Sequence, residues 1–166
     1  MANDSDALDR VIGGWRLSSV TSFQVGYPLA LTAQANDLSN SFGAGTIRPN
    51  RVAGCNPKLT GGAIPRLNKW FNTACFAQPA QFTFGNEGRV DSQLRGEGVD
   101  NWDLSLSKDT HITERVHVLF EGEFINAFNR VQFGPPALQL GSSIFGVVSS
   151  TLNNPREIQF AARLLF

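Results

Sequence analysis

The ten residues from Glu157 to Phe166, EIQFAARLLF, constrain the fold most, because apolar and wetter side chains alternate there without interruption. Successive Cβ atoms of a strand point to opposite sides of a sheet, so this pattern predicts a strand with one apolar face. The predicted apolar face carries Ile158, Phe160, Ala162, Leu164 and Phe166. Tilted by about 40°, ten extended residues rise roughly 25 Å, which is the height of the apolar band of a transmembrane β-barrel.

Three further segments alternate in the same way, at residues 15–32, 101–110 and 115–126. Aromatic and β-branched residues are frequent in them, which favours strands over helices. Their predicted apolar faces include Trp15, Leu17, Phe23, Trp102, Leu104, Leu106, Val118, Phe120 and Phe124. Together with residues 157–166, these segments predict an all-β fold of antiparallel up-and-down strands.

The connections between the predicted strands alternate in length. Residues 33–100 and 127–156 are long and rich in Gly, Asn and Pro, whereas residues 111–114 make a short turn. An irregular segment of that length is improbable inside a compact soluble domain. Transmembrane barrels have long extracellular loops and short periplasmic turns. The sequence therefore predicts part of a transmembrane β-barrel wall, spanning residues 13–166, with long irregular extracellular loops and an N-terminal tail or turn at residues 1–12.

Composition agrees with this prediction and excludes other classes. The 166 residues have a formal net charge of zero, so no overall field attracts nucleic acid, and we expect no nucleic-acid partner. The sequence contains no run of 18 consecutive apolar residues, so it predicts no transmembrane helix. The first residues have neither the basic nor the apolar region of a signal peptide, so we expect the chain to be a fragment of a longer protein.

Polar residues suggest few chemical sites. Glu121 and Glu123 point the same way on their strand and are expected to face the barrel lumen, paired with Arg163 on the neighbouring strand. His111, Glu114 and His117 have metal-ligand spacing, but they straddle a turn and no third strong ligand is evident, so we expect a polar turn and no metal. No nucleophile constellation is present, and we expect neither enzymatic activity nor a cofactor.

The two cysteines, Cys55 and Cys75, both fall in the long predicted loop. In an oxidising compartment they are candidates for a disulfide, since a separation of 20 residues is a reasonable loop to close. The alternative is a pair of free thiols.

Several segments together resemble a known family. NWDLSLSKDTHITERVHVLFEGEFINAFNRVQFGPP and FGVVSSTLNNPREIQFAARLLF look like the C-terminal end of TonB-dependent receptors. The type they resemble is the Oar-like, carboxypeptidase-regulatory-domain-containing group common in acidobacteria. GGWRLSSVTSFQVGYPLALT resembles an earlier barrel strand of these proteins, and RPNRVAGCNP and WFNTACFAQPAQFTFGNEGR resemble an extracellular loop.

The resemblance implies a receptor or transporter that takes up a solute through a large plugged barrel in the outer membrane of a Gram-negative-type cell. It implies contact with outer-membrane lipid, and with the TonB complex through the missing N-terminal part. The last strand, through Phe160, Leu164 and Phe166, is expected to be the signal that the barrel-assembly machinery reads. Four strands cannot close a channel, which takes about eight, so the fragment alone is not expected to transport.

A different class of protein remains open on the sequence alone, namely a small soluble β-sandwich that acts as a binding or adhesion module. A sandwich would bury the face of Trp15, Trp102, Phe120 and Phe160 against a second sheet, whereas a barrel wall leaves that face for lipid.

Overall fold

The computed structural model describes residues 10–34 and 46–166 and divides into two compact units. The sheet unit comprises the residues up to Gln24, Val99–Val131 and Asn153–Phe166, and the loop unit comprises Val25–Gly98 and Gln132–Leu152. Most of the predicted tail, residues 1–9, and the part of the long loop at residues 35–45 lie outside the described residues. Residues 10–12 form a helical turn. No helix in the described ranges is long and apolar enough to cross a membrane.

Eight strands occur among the described residues, and the all-β prediction is confirmed. They are β1 (Trp15–Gln24), β2 (Thr32–Ala33), β3 (Asn50–Arg51), β4 (Phe76–Ala77), β5 (Val99–His111), β6 (His117–Ile125), β7 (Gln139–Leu140) and β8 (Glu157–Leu165). The sheet unit is one antiparallel sheet in the order β1-β5-β6-β8, and β1 and β8 are its edges. The described strands do not close into a barrel.

The strand bounds differ from the prediction in two places. The first strand ends at Gln24 and not near residue 32, because the chain passes into the loop unit, where the Gly26 backbone lies directly against the Gly96 carbonyl and leaves no room for a side chain. β5 continues to His111, which pairs with His117 of β6, so the short turn is residues 112–116. Both long connections leave one end of the sheet, and the short turn is at the other end.

The strand register brings the four alternating patterns onto common faces. Residues directly opposite one another in an antiparallel sheet point to the same side. One such row is Leu17, Leu106, Gly122 and Phe160. We call this side the apolar face, and it also carries Trp15, Phe23, Trp102, Leu104, Phe120, Phe124, Ile158 and Leu164. The opposite side is the polar face, with Arg16, Asp103, Ser105, Asp109, His117, Glu121, Glu123, Gln159 and Arg163.

The apolar face remains open. Leu17 is 70% exposed and Phe160 is 65% exposed, so the described residues provide no second sheet over them. A soluble β-sandwich would bury these side chains, and the structure therefore does not support that alternative.

Aromatic contacts organise the centre of the apolar face. Phe160 lies over Gly122, where an added Cβ would be 3.1 Å from the Phe160 ring. The Phe160 ring stacks on Phe120 with centroids 5.8 Å apart and meets Phe124 edge-on at 6.2 Å. Such aromatic pairs contribute about 0.5–1.5 kcal/mol beyond the area they bury. Gly122 thus gives Phe160 the space to connect β6 with β8.

Aromatic residues also stand at both ends of the apolar face. At the long-connection end, Trp102 makes edge contacts with Phe23 and Phe128, each at 5.7 Å between centroids. At the short-turn end, the Lys108 ammonium lies 4.7 Å from the Trp15 ring centroid and donates hydrogen bonds to the carbonyls of residues 11 and 13. The charge of Lys108 is therefore held at the edge of the apolar face and not at its middle.

The two predicted loops fold together into the loop unit, which has its own hydrophobic core. β2 pairs with β7 in parallel and β3 pairs with β4 antiparallel, so residues before and after β5 and β6 meet in this unit. Its buried core consists of Leu29, Leu31, Trp70, Phe71, Cys75, Phe76, Leu94 and Val148. The loops carry a packed core that their aperiodic sequence did not predict.

Candidate functional site on the polar face and in the loop unit

Charged side chains of β6 and β8 meet on the polar face. Glu121 and Glu123 are two residues apart and so point to the same side. Arg163 Nη2 lies 3.6 Å from Glu121 Oε2, and the two side chains are 66% and 32% exposed. Glu123 accepts a hydrogen bond from Gln159 Nε2. The structure therefore brings Arg163 to Glu121, while Glu123 has Gln159 as its partner.

The polar face continues at the end of β6. Asp103 Oδ1 accepts hydrogen bonds from Asn101 Nδ2 at 3.1 Å and from the Asn126 backbone N–H at 2.8 Å. The buried Asn126 side chain in turn holds the backbone of Arg130 and Asn154. Hydrogen bonds and one ion pair therefore link the polar side chains of this face to one another and to the backbone. The exposed ion pair contributes at most about 1 kcal/mol to stability.

A second polar cluster lies at the short-turn end of the same face. His117 Nδ1 is 2.8 Å from Asp109 Oδ1, and the rings of His111 and His117 stack in parallel with centroids 5.1 Å apart. One ligand atom from each of these three residues lies within 4.8 Å of the others. Glu114, which the sequence grouped with the two histidines, is in the turn and does not belong to this group.

Asp109 belongs to this cluster, although the sequence pattern had grouped the two histidines with Glu114 instead. It lies two positions before His111, so it shares the same strand face, and the β5–β6 register brings His117 beside it. A period of two, applied backward from His111 along the strand, would have identified it.

The loop unit contains the disulfide candidate. Cys55 and Cys75 are bonded, with Cα atoms 5.3 Å apart, and Cys75 is fully buried in the core. The bond joins the start of the segment that contains the short helix α1 (Ala63–Arg66) to the 3-10 turn Thr73–Cys75 at its end.

An ion cluster lies beside the disulfide, where Arg51 of β3 pairs with Phe76 of β4. Arg51 Nη1 contacts Glu87 Oε2 at 3.3 Å and Asp91 Oδ2, and Arg51 Nη2 donates to Gln93 Oε1 at 2.9 Å. Asp91 is only 2% exposed and Glu87 only 7%. One guanidinium therefore compensates two buried carboxylates. The sequence did not indicate this cluster, because its members are about 40 residues apart in an aperiodic region.

The loop unit also contains a cleft of about 860 Å³. Three cationic side chains, Lys58, Arg66 and Arg95, and one carboxylate, Glu97, contribute to its lining. The Arg66 guanidinium lies 4.3 Å from the Trp70 ring centroid, and Trp70 Nε1 donates to the Arg95 carbonyl at 2.8 Å. The charged side chains of the cleft lining are therefore mostly cationic, which suits a ligand with hydrogen-bond-accepting groups.

The predicted assembly-signal residues lie on and just beyond an edge strand. Phe160 and Leu164 belong to the apolar face of β8, and Phe166 follows the last paired residue and is almost fully exposed. Their role as a signal stays a prediction.

A comparison with protein-family models matches residues 1–159 to the outer membrane beta barrel domain. The match covers almost the whole chain, and the chain belongs to this family. No curated protein and no solved structure gives a significant match. A sheet with one apolar and one polar face is the pattern expected of a member of this family.

Proposed function

We propose that this outer-membrane β-barrel chain is the C-terminal part of the barrel of a TonB-dependent receptor, which takes up a solute across the outer membrane of a Gram-negative-type cell. The observation that carries the proposal is the register of the sheet, which sorts four separate alternating patterns into one apolar and one polar face. The resemblance of the terminal segments to TonB-dependent receptors supplies the narrower assignment.

The loops support a receptor more than a small structural barrel. Both long connections leave one end of the sheet, and they form a packed unit with a disulfide and a cleft. Binding residues occur disproportionately on loops that a rigid scaffold positions, so a folded loop unit with a cleft favours a ligand-binding role. The cationic lining favours a solute with anionic or hydrogen-bond-accepting groups.

The proposed partners follow from the faces of the sheet. Outer-membrane lipid contacts the apolar face, with Trp15 and Trp102 at its two ends, as expected of aromatic girdles. The barrel-assembly machinery reads Phe160, Leu164 and Phe166, and the TonB complex engages a region of the parent protein outside this chain. We propose no catalytic activity for the chain.

The first test is to read the gene upstream of Met1 and then to measure the binding of the purified parent protein to the periplasmic domain of TonB. We expect further alternating strands, a plug domain and saturable binding that is lost when the parent's N-terminal segment is deleted. A continuous upstream frame without a plug domain, or no saturable binding, would refute the TonB-dependent assignment and leave only a barrel.

The orientation has its own test in intact cells. Cysteines introduced by Phe84→Cys in the loop unit and Glu114→Cys in the short turn are treated with a membrane-impermeant maleimide, while the native disulfide stays oxidised. Label on Phe84→Cys alone before permeabilisation, and on both afterwards, is the expected result. Label on Glu114→Cys alone in intact cells would invert the proposed topology.

A further inference from the structure

We propose that Asp109, His111 and His117 form a zinc site at the short-turn end of the polar face. The proposal does not depend on the transport assignment, because it rests on groups within the sheet unit alone.

The pairing of the two strands creates the site. His111 and His117 are the last residue pair of the β5–β6 ladder, directly opposite one another before the chain turns. Asp109 is two residues earlier on β5, and its carboxylate reaches His117 Nδ1 at 2.8 Å. Three donors from two strands therefore converge on the same side of the sheet.

The distance between Asp109 and His117 suits a zinc ion after a small adjustment. Zinc binds imidazole nitrogen and carboxylate oxygen at about 2.0–2.2 Å in a tetrahedral arrangement, which places neighbouring ligand atoms roughly 3.3 Å apart. The Asp109–His117 contact widens slightly when the ion replaces the hydrogen-bonded proton between the two atoms. All three ligand atoms already lie within 4.8 Å of one another.

His111 makes the larger movement. Its ring is parallel to that of His117, so the nitrogen lone pairs of the two rings lie in separate planes and do not meet at one point. His111 is exposed at the strand end, where rotation of its ring meets little resistance. That rotation brings its nitrogen toward the Asp109–His117 pair.

The donor set selects among metals. Two imidazoles with one carboxylate suit zinc and neighbouring transition metals, whereas calcium and magnesium prefer oxygen ligands throughout. Three protein ligands leave a fourth position for water. An ion held there would join β5 to β6 across the turn, and its role would be to secure the register at the end of the hairpin.

The test is a zinc titration of the tag-free full chain, folded in detergent micelles, against a competing fluorescent zinc indicator. The variants are His111→Gln, His117→Gln and Asp109→Asn. The matched control is Glu114→Gln, because Glu114 is a nearby turn carboxylate that is not one of the three grouped ligands. Circular dichroism of each protein checks that its β-structure is retained. X-ray absorption of the zinc-loaded protein counts the imidazole ligands.

We expect one zinc ion per chain, two imidazoles in the absorption spectrum and a loss of affinity of at least about tenfold in each of the three variants, with Glu114→Gln within about twofold of the unaltered chain. Absence of a saturable site in the folded protein would overturn the proposal. Unchanged affinity in both histidine variants would overturn it equally, because zinc would then bind elsewhere.

Discussion

Removal of the Cys55–Cys75 disulfide should open the loop unit locally and leave the sheet unit unaffected. The perturbation is the double variant Cys55→Ala and Cys75→Ala, and reduction of the unaltered protein serves as an independent route to the same broken bond. The bond closes a sequence separation of 20 residues. A loop of this length restricts the unfolded segment by about 3 kcal/mol in the chain-entropy account.

The Lys69–Trp70 peptide bond reports this opening. Trp70 is only 3% exposed, and its backbone N–H donates to the Gly146 carbonyl at 2.8 Å, so trypsin reaches the bond only after the segment unfolds. When opening is fast relative to cleavage, the cleavage rate follows the open population. A loss of about 3 kcal/mol therefore predicts a rate increase of roughly a hundredfold.

The assay is limited trypsin digestion of the detergent-folded chain, followed by mass spectrometry of each cleaved bond over time. Cleavage after the exposed Arg115, in the short turn of the sheet unit, is the internal control and should not change. A Lys69–Trp70 cleavage rate within about threefold of that of the oxidised protein, in both the variant and the reduced sample, would refute the reasoning. It would show that the core around Trp70 and Phe71 holds the segment without the bond.

Three further predictions concern the two faces and the loop cluster. Leu106→Arg places a charge on the apolar face. In the parent protein folded in lipid vesicles it should lower the unfolding free energy of the barrel by about 2–4 kcal/mol, whereas Ser105→Arg on the polar face should change it by less than about 1 kcal/mol. Equal losses in urea titrations would contradict the assignment of faces. Arg51→Met leaves two buried carboxylates uncompensated and should lower the stability of the loop unit by about 3–5 kcal/mol, whereas the exposed Arg89→Met should change it negligibly. Hydrogen exchange of the loop-unit amides measures both, and equal amide protection in the two variants would show that the cluster is not stabilising. Deletion of Phe166 in the parent protein should reduce the amount of barrel inserted in the outer membrane, while Phe166→Tyr should leave that amount unchanged. Normal insertion after the deletion would show that Phe166 is not part of the assembly signal.

The sequence was most informative where side chains repeat with a period of two. Three predicted strands have bounds within about two residues of the observed ones, namely those at residues 157–166, 101–110 and 115–126. The agreement follows because alternation is a local consequence of strand geometry. The same alternation predicted which side of each strand is apolar. The few residues between the second and third alternating segments predicted the short turn between β5 and β6.

The sequence was least informative in the loops. Residues 33–100 have no period, and what orders them is contact between distant segments, such as β2 with β7 and Arg51 with Asp91. The first strand also ended earlier than its pattern suggested. Its pairing with β5 stops at Gln24, and beyond it the Gly26 backbone lies against the Gly96 carbonyl, a contact between residues that are far apart in the sequence.

The sequence by itself determined that this protein has strands with one apolar and one polar side, because that property depends only on the order of residues along each strand. Only the tertiary structure decided which residues of different strands stand beside one another. The cross-strand register is set by the pairing of whole strands. It brought Asp109 beside His117, and it placed Phe160 over the space above Gly122. The pairing of Arg163 with the two glutamates was predicted from the sequence, and the structure decided that Glu121 is the one it contacts.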